Sequence, residues 1–398
     1  MAAGLRKARV SDADGRRVWA EVDAGAIRHN AAVLARLVAP AELCAVVKAA
    51  GYGHGAVDAS RAALEGGASW LAVAFAEEGA ELRDAGIEAP ILLLSEPPAD
   101  AMVDVVGLGL VPTLYTHIGV EAAAKAVAAR RASTPGYDRL PVHVKVDTGM
   151  HRVGAPPAEA VEVAAAVAEH DELSLDGLFT HFATADEPGS ETAASQAAAF
   201  EAAVAALAGR GVRPRLLHAC NSAATMLLPA ARHSMVRCGI TLYGVGPSAS
   251  LDGQLGLRPA LSLRARVSHL TAVPAGDGVS YGHHYRCPTA TTVATVPIGY
   301  ADGLPWRLGC AGGEVLLGGR RRPIAGRVTM DQVMVDCGAD GSVAAGDEVV
   351  LLGRQGDQAI GAWEWAGRLG TIAYEVLCGI GPRVGRVVVD TASADARF

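Results

Sequence analysis

Between about residues 42 and 240, the chain alternates short apolar runs with alanine-rich stretches that are typical of helices. This alternation predicts repeated strand–helix units around a parallel sheet. Eight strands are predicted, near residues 42–48, 69–74, 90–94, 110–114, 141–147, 174–180, 214–219 and 234–238. Helices are predicted between them, at 57–65, 121–130, 158–168 and 195–207. Eight units in roughly two hundred residues fit a closed (β/α)8 barrel better than an open doubly wound sheet.

The pattern changes after residues 244–256, which are rich in glycine, serine and proline. From there on, alternating and β-branched segments separated by glycines predict strands with few helices. The predicted strands are 260–273, 291–298, 315–317, 327–335 and 348–352, with a helix at 371–377 and one early strand at 17–22. The predicted fold class is therefore α/β, a TIM-like (β/α)8 barrel followed by a β-rich C-terminal domain.

Composition narrows the choice of function. A chain of 398 residues with 51% hydrophobic and 19% charged residues is globular and long enough for two domains. Its net charge of -7 gives no reason to expect a nucleic acid or an anionic membrane as partner, and favours a small solute. Seven cysteines without a Cys-x-x-Cys pair predict reduced thiols in a cytoplasmic protein and no metal site. The N-terminal residues Arg6, Lys7 and Arg9 are not followed by an apolar block, so no signal peptide is predicted.

The segment from Glu42 to Gly55 carries one lysine, Lys48, to the end of the first barrel strand and then breaks into glycines. An apolar site favours the neutral form of an amine, which can attack an aldehyde and form a Schiff base. The glycines and Tyr52 suit a turn whose backbone and phenol approach a bulky cofactor that carries a phosphate. On the local pattern alone, a lysine that merely carries its charge to water would be the preferred interpretation.

Further polar residues follow the C-terminal ends of the predicted strands, where a parallel barrel gathers its functional groups. They are Lys145, Asp147 and Arg152 after the fifth strand, His181 after the sixth, His218, Asn221 and Ser222 after the seventh, and Arg237, Gly239 and Ile240 after the eighth. Phosphate sites in barrels often lie after strands seven and eight, and Ser222, Gly239 and Ile240 fit that position. Each residue is weak evidence alone, but together they surround one mouth of the barrel.

These motifs resemble those of the alanine racemases, a pyridoxal-phosphate-dependent family of fold type III. Lys48–Gly55 is similar to the family's cofactor-lysine motif, and matching segments follow in order as far as Tyr374. The resemblance extends over residues 17–386 and joins both predicted domains. It implies interconversion of L-alanine and D-alanine by two-base proton transfer on an external aldimine of pyridoxal 5'-phosphate, and a place in D-alanine and cell-wall precursor supply.

The resemblance also implies domain limits and an assembly. The cofactor barrel would occupy residues 24–247, and residues 1–23 would join 248–398 in the β-rich domain. The protein would be a cytoplasmic homodimer whose active sites are shared across the interface, because the family takes its tyrosine base and a methionine from the partner subunit.

Individual residues receive roles by the same resemblance. Lys48 and Tyr281 would be the two bases, one on each face of a planar carbanion. Cofactor contacts are implied for Lys48, Tyr52, His181, Ser222, Arg237, Gly239, Ile240 and Tyr374. The substrate carboxylate would bind Arg152 and the backbone N–H of Met330, and Lys145 matches a lysine that is commonly carbamylated.

Arg237 has the clearest chemical consequence among these residues. In the family, the matching arginine faces the pyridine nitrogen of the cofactor. Because a guanidinium gives up its proton with difficulty, the ring nitrogen would accept a hydrogen bond and stay largely unprotonated. This arrangement should favour fast return of a proton to Cα over side reactions such as transamination. The structural alternative is an arginine that simply pairs with a carboxylate.

The sequence departs from the family pattern at two places. Ala50 and Gly51 precede Tyr52, where the family usually has an asparagine or aspartate and an alanine, so one polar turn residue is lost. His151 stands where the family more often has glycine, directly before Arg152.

Three other functions remain open on the sequence. A racemase of serine or another amino acid would keep every motif and differ only in the volume of its side-chain pocket. A decarboxylase with a similar barrel would not need Tyr281, and the pyridine nitrogen inferred from Arg237 would make a poor electron sink for loss of carbon dioxide. A pyridoxal-phosphate carrier could use the barrel alone, which would leave residues 260–398 without a purpose.

Overall fold

The computed structural model describes residues 17–391 of the 398-residue chain. They form two compact units. Of the described residues, the barrel unit comprises Val22–Ala260 together with 388–391, and the β-rich unit comprises Leu261–Val387 together with 17–21. Among these residues, no helix is both long and apolar enough to cross a membrane.

The described chain starts with strand β1 (Val18–Asp23), which leads directly into helix α1 (Ala24–Val38). Asp23 caps this helix, because its Oδ1 accepts the Ala26 N–H at 3.1 Å. Residues Arg6, Lys7 and Arg9 lie outside the described residues, as do the ends of the predicted domains. The predicted division of the chain at residues 24–247 and 248–398 stays a prediction.

Eight parallel strands follow in the barrel unit, each short and mostly buried on both faces. They are β2 (Glu42–Val46), β3 (Trp70–Val73), β4 (Ile91–Leu93), β5 (Thr113–Leu114), β6 (Leu140–Lys145), β7 (Leu173–Phe179), β8 (Leu216–His218) and β9 (Met235–Cys238). Burial on both faces explains why they read as continuous apolar runs rather than as alternating ones.

The eight strands close into a ring. They form two parallel sheets, β4-β3-β2-β9 and β5-β6-β7-β8. A parallel bridge between Leu92 and Val111 joins the sheets on one side. On the other side, the Arg237 N–H donates to the Cys220 carbonyl at 2.9 Å, next to β8. The predicted (β/α)8 barrel is therefore confirmed.

Helical segments connect the barrel strands, and their buried faces are built mainly from alanine, valine and leucine. They are α2 (Lys48–Tyr52), α3 (Ala56–Glu65), α4 (Ala76–Asp84), α5 (Met102–Gly107), α6 (His117–Ser133), α7 (Pro157–Glu169), α8 (Glu191–Gly209) and α9 (Ser222–Leu227). A single turn of 3₁₀ helix, Ile240–Tyr243, follows β9.

A buried asparagine of α1 fixes the chain just beyond that turn. Asn30 donates from Nδ2 to the carbonyls of Leu242 at 3.0 Å and Arg258 at 2.8 Å. Its Oδ1 accepts the Arg258 N–H at 2.8 Å. A buried side chain thus pairs with three backbone groups of the segment after β9, which holds that segment in place.

The β-rich unit consists mainly of strands, as predicted, and strand pairs in both of its larger sheets are antiparallel. Its strands are β10 (Leu261–Arg266), β11 (His269–Val273), β12 (Gly278–Val279), β13 (Tyr285–Arg286), β14 (Thr291–Val296), β15 (Glu314–Leu317), β16 (Arg320–Pro323), β17 (Val333–Asp336), β18 (Glu348–Gln355), β19 (Gln358–Ile360) and β20 (Gly385–Val389). One sheet has the order β16-β15-β18-β10-β1-β20, with β19 also paired to β18, and a second has the order β11-β14-β17. Strands β12 and β13 form a separate hairpin, and two helices follow β19, α10 (Ala362–Leu369) and α11 (Ala373–Cys378).

Three details of this unit differ from the sequence prediction. The single strand predicted at 260–273 is two strands, β10 and β11, which belong to different sheets. The segment predicted as a strand at 327–335 is largely a turn, closed by the Thr329 N–H donating to the Gln332 carbonyl at 2.9 Å, and only its end belongs to β17. Helix α10 was not predicted.

Candidate functional site

The structure divides the predicted site residues between the two units. The barrel unit contains Lys48, Tyr52, Lys145, Arg152, His181, Ser222, Arg237, Gly239 and Ile240, all beyond or at the C-terminal ends of its strands. The β-rich unit contains Tyr281, Met330 and Tyr374.

Lys48 was predicted to be the last residue of the first barrel strand. In the structure, strand β2 ends at Val46, and Lys48 begins the turn that follows it. The next residues wind in the left-handed sense, with φ of 53° at Ala49, 51° at Ala50, 63° at Gly51 and 52° at Tyr52. Left-handed backbone costs roughly 1–2 kcal/mol for each residue other than glycine. The turn that presents the Lys48 amine is therefore strained, as functional loops often are.

A carboxylate from α4 supports this strained turn. Glu78 Oε1 accepts the Ala49 N–H at 2.6 Å, and its Oε2 accepts the Ala74 N–H at 2.7 Å. The first turn of α4 thus holds the backbone next to Lys48 through a charge-assisted hydrogen bond. Sequence reasoning missed Glu78. The available signal was a glutamate at the third position of a helix, which commonly caps that helix.

The loops after β8 and β9 form a small polar cradle. Ser222 Oγ accepts the Gly239 N–H at 3.0 Å and the Thr241 hydroxyl at 3.0 Å, so its own proton is directed to a further acceptor. Ile240 begins the 3₁₀ turn behind them and is buried. A Cβ at Gly239 would collide with the Tyr52 hydroxyl, so this glycine lets the phenol reach the cradle. Hydroxyls and a helix start at this position suit an anion.

Arg237 is buried near the ends of β8 and β9. Its Nη1 donates to His218 Nδ1 at 2.6 Å and to the His218 carbonyl at 3.0 Å. Its Nη2 donates to the Thr180 carbonyl at 2.7 Å and to His181 Nδ1 at 3.2 Å. Within residues 17–391 its Nε makes no hydrogen bond, which leaves that donor for a ligand. Burial lowers the pKa of Arg237 to about 10, so the side chain stays charged at neutral pH.

His181 is held neutral beside this arginine. Burial, together with the charge of Arg237, lowers the pKa of His181 well below its ordinary value. Because Arg237 can only donate, His181 Nδ1 accepts and its proton resides on Nε2. Gln196, which is buried, donates to the His181 carbonyl at 3.1 Å and fixes the loop.

Lys145 is a buried amine in the same unit. Burial, with the positive charges of Arg237 and Arg152, lowers the pKa of Lys145 to about 7. Asp147 opposes this shift only in part. With this pKa, part of the Lys145 population is neutral near pH 7, and a neutral amine is a nucleophile.

The loop that carries Arg152 is fixed by the side chain of Asp147. Asp147 Oδ1 accepts three backbone N–H groups at 3.0 Å, those of Gly149, Met150 and His151. Burial raises the pKa of the Asp147 carboxyl, but these donors outweigh it and leave the pKa below its ordinary value. His151 has φ 54°, a conformation that favours glycine and explains why glycine suits this position. Arg152 itself is exposed.

In the β-rich unit, Tyr281 lies at the tip of the hairpin β12–β13 and is 73% exposed. Ser280 has φ 65° and donates its hydroxyl to the Arg327 carbonyl at 2.7 Å. Tyr285, at the other end of the tip, donates to Asp336 Oδ2 at 2.6 Å. The strained tip is therefore anchored at both ends.

The other two predicted residues of this unit lie on separate elements. Met330 is 53% exposed in the turn before β17, and its carbonyl accepts the Ala301 N–H at 3.1 Å. Within the described chain, the Met330 N–H donates to no other group, so it is available as a donor. Tyr374 lies on α11 and is half-buried.

The barrel unit thus combines an amine on a strained turn, an anion cradle and a buried cation. This set can hold a phosphorylated aldehyde and bind a carboxylate. In residues 17–391, no cluster of three or more histidine, cysteine, aspartate or glutamate side chains is arranged to hold a metal ion.

The sequence matches two family models, "Alanine racemase, N-terminal domain" over residues 22–247 and "Alanine racemase, C-terminal domain" over residues 260–388. A curated alanine racemase of Symbiobacterium thermophilum is 46% identical over 376 residues, covering 94% of this chain and 98% of that protein. The crystal structure of alanine racemase from D-cycloserine-producing Streptomyces lavendulae is similar with TM-score 0.87 and 41% identity, covering 94% of this chain and 97% of that one. The alanine racemase of Streptomyces coelicolor is similar with TM-score 0.88 and 39% identity, covering 94% and 98%.

Replacing Ala50 with asparagine should stabilise the protein. Ala50 is exposed and left-handed, and asparagine adopts this conformation more readily than alanine does. We expect Ala50→Asn to raise the free energy of unfolding by about 0.5–1 kcal/mol, measured by denaturant unfolding of the apoprotein. The matched control is Ala205→Asn, at an exposed right-handed position of α8, which should lower that free energy by about 0.5 kcal/mol. Equal effects of the two substitutions would reject the left-handed turn.

Proposed function

We propose a role for each site residue in the reaction of this chain, which belongs to the alanine racemase family. The reaction is the interconversion of L-alanine and D-alanine with pyridoxal 5'-phosphate as cofactor. The observation that carries this assignment is the buried Arg237, whose Nη atoms are both bound within the barrel unit while its Nε is left for a ligand. A guanidinium in this position keeps its own proton and offers a hydrogen bond to a neutral ring nitrogen.

The residues present fit the cofactor at three points. The Ser222 hydroxyl, already accepting two hydrogen bonds, has its proton free to donate to a phosphate oxygen, and the backbone at Gly239 and Ile240 frames the same cradle. The missing Cβ of Gly239 admits the Tyr52 hydroxyl to that cradle. Arg237 Nε and His181 would contact the ring, and Lys48 would hold the aldehyde carbon. Tyr374 would add a phenol on the phosphate side, as the family resemblance implies.

The chemistry that pyridoxal phosphate supplies when bound is withdrawal of electrons from the substrate Cα, which makes its proton acidic. Lys48 Nζ and the Tyr281 phenol each take or return that proton, from opposite faces of Cα. The strained turn after Lys48 and the anchored hairpin tip of Tyr281 support these roles, because both hold a reactive group on a constrained backbone. Arg237 stays protonated, so it keeps charge from spreading into the ring and favours return of the proton to Cα.

The substrate carboxylate would bind Arg152 and the Met330 N–H. Arg152 is exposed on a loop that Asp147 fixes through three backbone hydrogen bonds, which supports a preformed carboxylate site. The N–H of Met330 is available as a second donor. Two donors of fixed direction would orient the amino acid so that only Cα faces the two bases.

We also propose that Lys145 carries a carbamate. Its lowered pKa, about 7, leaves a neutral amine that can add to carbon dioxide, with loss of one proton and formation of a carbon–nitrogen bond. The resulting anion would offset the neighbouring charges of Arg152 and Arg237. An uncharged or anionic Lys145 removes the repulsion that a protonated Lys145 would meet from the buried Arg237 and the exposed Arg152.

The active unit is proposed to be a homodimer with shared sites. Tyr281 is 73% exposed and Met330 is 53% exposed in the single chain, which supports their use by a partner subunit. Location in the cytoplasm is supported by the cysteines, none of which forms a disulfide within the described residues, and cell fractionation would test it.

Racemisation in deuterated water tests the function and the two bases together. The protein should exchange the Cα proton of L-alanine and D-alanine faster than that of serine or larger amino acids. We expect Tyr281→Phe to slow the exchange for one enantiomer by about a hundredfold or more, and to slow it far less for the other. The control Tyr137→Phe alters a tyrosine of the barrel unit that donates to the Val106 carbonyl, and should exchange both normally. Wild-type rates of Tyr281→Phe with both enantiomers would reject the base assignment.

Subunit complementation tests the shared sites. Lys48→Ala and Tyr281→Phe should each be inactive alone as homodimers. Random mixing of equal amounts of the two should restore about one quarter of wild-type activity. About half of the dimers are then mixed, and each mixed dimer has one intact site of two. Mixing Lys48→Ala with the double variant Lys48→Ala/Tyr281→Phe is the control and should restore nothing. If mixed dimers form but stay inactive, each site belongs to a single chain.

Labelled bicarbonate tests the carbamate. Protein equilibrated with isotope-labelled bicarbonate should show one labelled carbamate signal in NMR spectra, and Lys145→Met should lack it. The signal should weaken as the pH falls below about 7, because protonation of Lys145 removes the nucleophile. A signal that persists in Lys145→Met would place the carbamate on another lysine.

A further inference from the structure

A chain of buried ring nitrogens leads away from Arg237 inside the barrel unit. His218 and His143 are both fully buried, and their rings face each other with His143 Nδ1 at 2.8 Å from His218 Nε2. His143 Nε2 lies 3.6 Å from Asp176 Oδ2, which is beyond hydrogen-bond distance, and this buried nitrogen has no hydrogen-bond partner within the described residues, so the carboxylate acts on it through its charge. The order is therefore Arg237, His218, His143, Asp176, on β9, β8, β6 and β7.

The direction of these contacts follows from chemistry. Arg237 can only donate, so His218 Nδ1 accepts, and a neutral His218 must carry its proton on Nε2. That proton is donated to His143 Nδ1, so His143 carries its own proton on Nε2, toward Asp176. Burial keeps both rings neutral, since it lowers the pKa of His218 well below its ordinary value and lowers that of His143, although Asp176 opposes the latter shift.

Two backbone features build the far end of this chain. In the pairing of β6 with β7, Val142 faces Leu175 and His143 faces Gly177, so Asp176 is an extra residue in a bulge. A bulge redirects a side chain, and here it turns Asp176 towards the His143 ring. A Cβ at Gly177 would collide with that ring, so the glycine makes room for His143.

Asp176 is an anion throughout the working pH range. Burial opposes its ionisation, but His143 and Arg215 outweigh burial and lower the pKa of Asp176 to about 2. Arg215 binds it from the solvent side, with Nε at 2.9 Å from Oδ1 and Nη2 at 3.0 Å from Oδ2. The carboxylate is 17% exposed and thus faces both the surface and the barrel interior.

Within the described residues, no carboxylate is among the groups that bond Arg237 or shift its pKa. The ionisable groups that face it are the thiols of Cys44, Cys220 and Cys238, the rings of His181 and His218, and the amine of Lys145. Burial raises the pKa of each thiol to about 11 or 12, so none is an anion at neutral pH. A buried cation without a counter-charge is costly, and polarised neutral rings can transmit part of a distant charge.

On the premise of the proposed function, we propose that Asp176 is a positioning residue for Arg237 and acts through His143 and His218. Arg237 at one end favours the proton of each ring on Nε2, and the negative charge of Asp176 at the other end adds to that preference, which keeps His218 Nδ1 as an acceptor for Arg237. Without that charge, reversal of both ring protons costs less free energy, and in the reversed state two N–H groups face each other at Arg237. In that state the arginine loses its nearest acceptor, and its protonated form is less stabilised.

The first test uses the apoprotein and needs no activity. NMR of isotope-labelled histidine nitrogens in the wild type should show His143 and His218 as single Nε2–H tautomers. Asp176→Asn, which keeps the shape of the side chain and removes its charge, should show a measurable share of the reversed Nδ1–H tautomer at both rings. Arg215→Gln is the matched control, because it removes the other partner of Asp176 and should leave both tautomers unchanged. Unchanged tautomers in Asp176→Asn would overturn the proposal.

The second test uses the holoenzyme. Asp176→Asn should lower kcat about tenfold with KM for alanine within about twofold, since the carboxylate site at Arg152 is untouched. The alkaline limb of kcat should move to lower pH by on the order of one unit, because loss of the anion makes Arg237 easier to deprotonate. Asp176→Glu should recover most of the loss, and Arg215→Gln should show none. Equal changes in Asp176→Asn and Arg215→Gln would assign the effect to the surface ion pair and overturn the proposal.

If Asp176→Asn does not fold, His143→Gln breaks the same chain one residue closer to Arg237. It should reproduce the loss of kcat and the shift of the alkaline limb, and a wild-type profile would overturn the proposal. Failure of the proposed function is recognised separately, because a wild type that exchanges no Cα proton would leave the tautomer measurement on the apoprotein unaffected.

Discussion

A buried positive charge with no carboxylate beside it is the constraint on which the barrel site depends. Arg237 is held by backbone carbonyls and by two histidine rings, and it keeps its charge at neutral pH. Burial is the larger cause of the lowered pKa of His181 and of the pKa of Lys145, about 7, and the charge of Arg237 lowers both further. Removal from water and one buried guanidinium therefore act in the same direction on both groups.

Strained backbone marks the loops that carry the reactive groups. The turn after Lys48, the residue before Arg152 and the residue before Tyr281 all have positive φ without being glycine. Each of these segments donates a hydrogen bond to a neighbouring acceptor. The acceptors are Glu78 for the turn after Lys48, Asp147 for the residue before Arg152, and the Arg327 carbonyl for the residue before Tyr281. Strain of this kind persists only where surrounding structure supports it, so the supporting residues are part of the site although none touches a substrate.

The fold was largely predictable because its signals are local. Apolar runs separated by helical stretches gave all eight barrel strands, since strands buried on both faces need apolar residues throughout. Prediction was weaker in the β-rich unit, where the segment 260–273 is divided between two sheets and 327–335 is mostly a turn. The limits of these strands depend on pairing with strands that are distant in the sequence. The residues of a single strand do not determine which strand it will pair with.

The sequence by itself determined the barrel, the order of polar residues at its strand ends and the family resemblance, because motif and strand position are properties of short segments. Only the tertiary structure decided which polar groups act on one another. His143 and Asp176 carry no motif, and they meet because a bulge in β7 and the absence of a side chain at Gly177 bring a carboxylate to a buried ring. Burial, direction of hydrogen bonds and proton position depend on those contacts, and contacts between strands exist only once the barrel has closed.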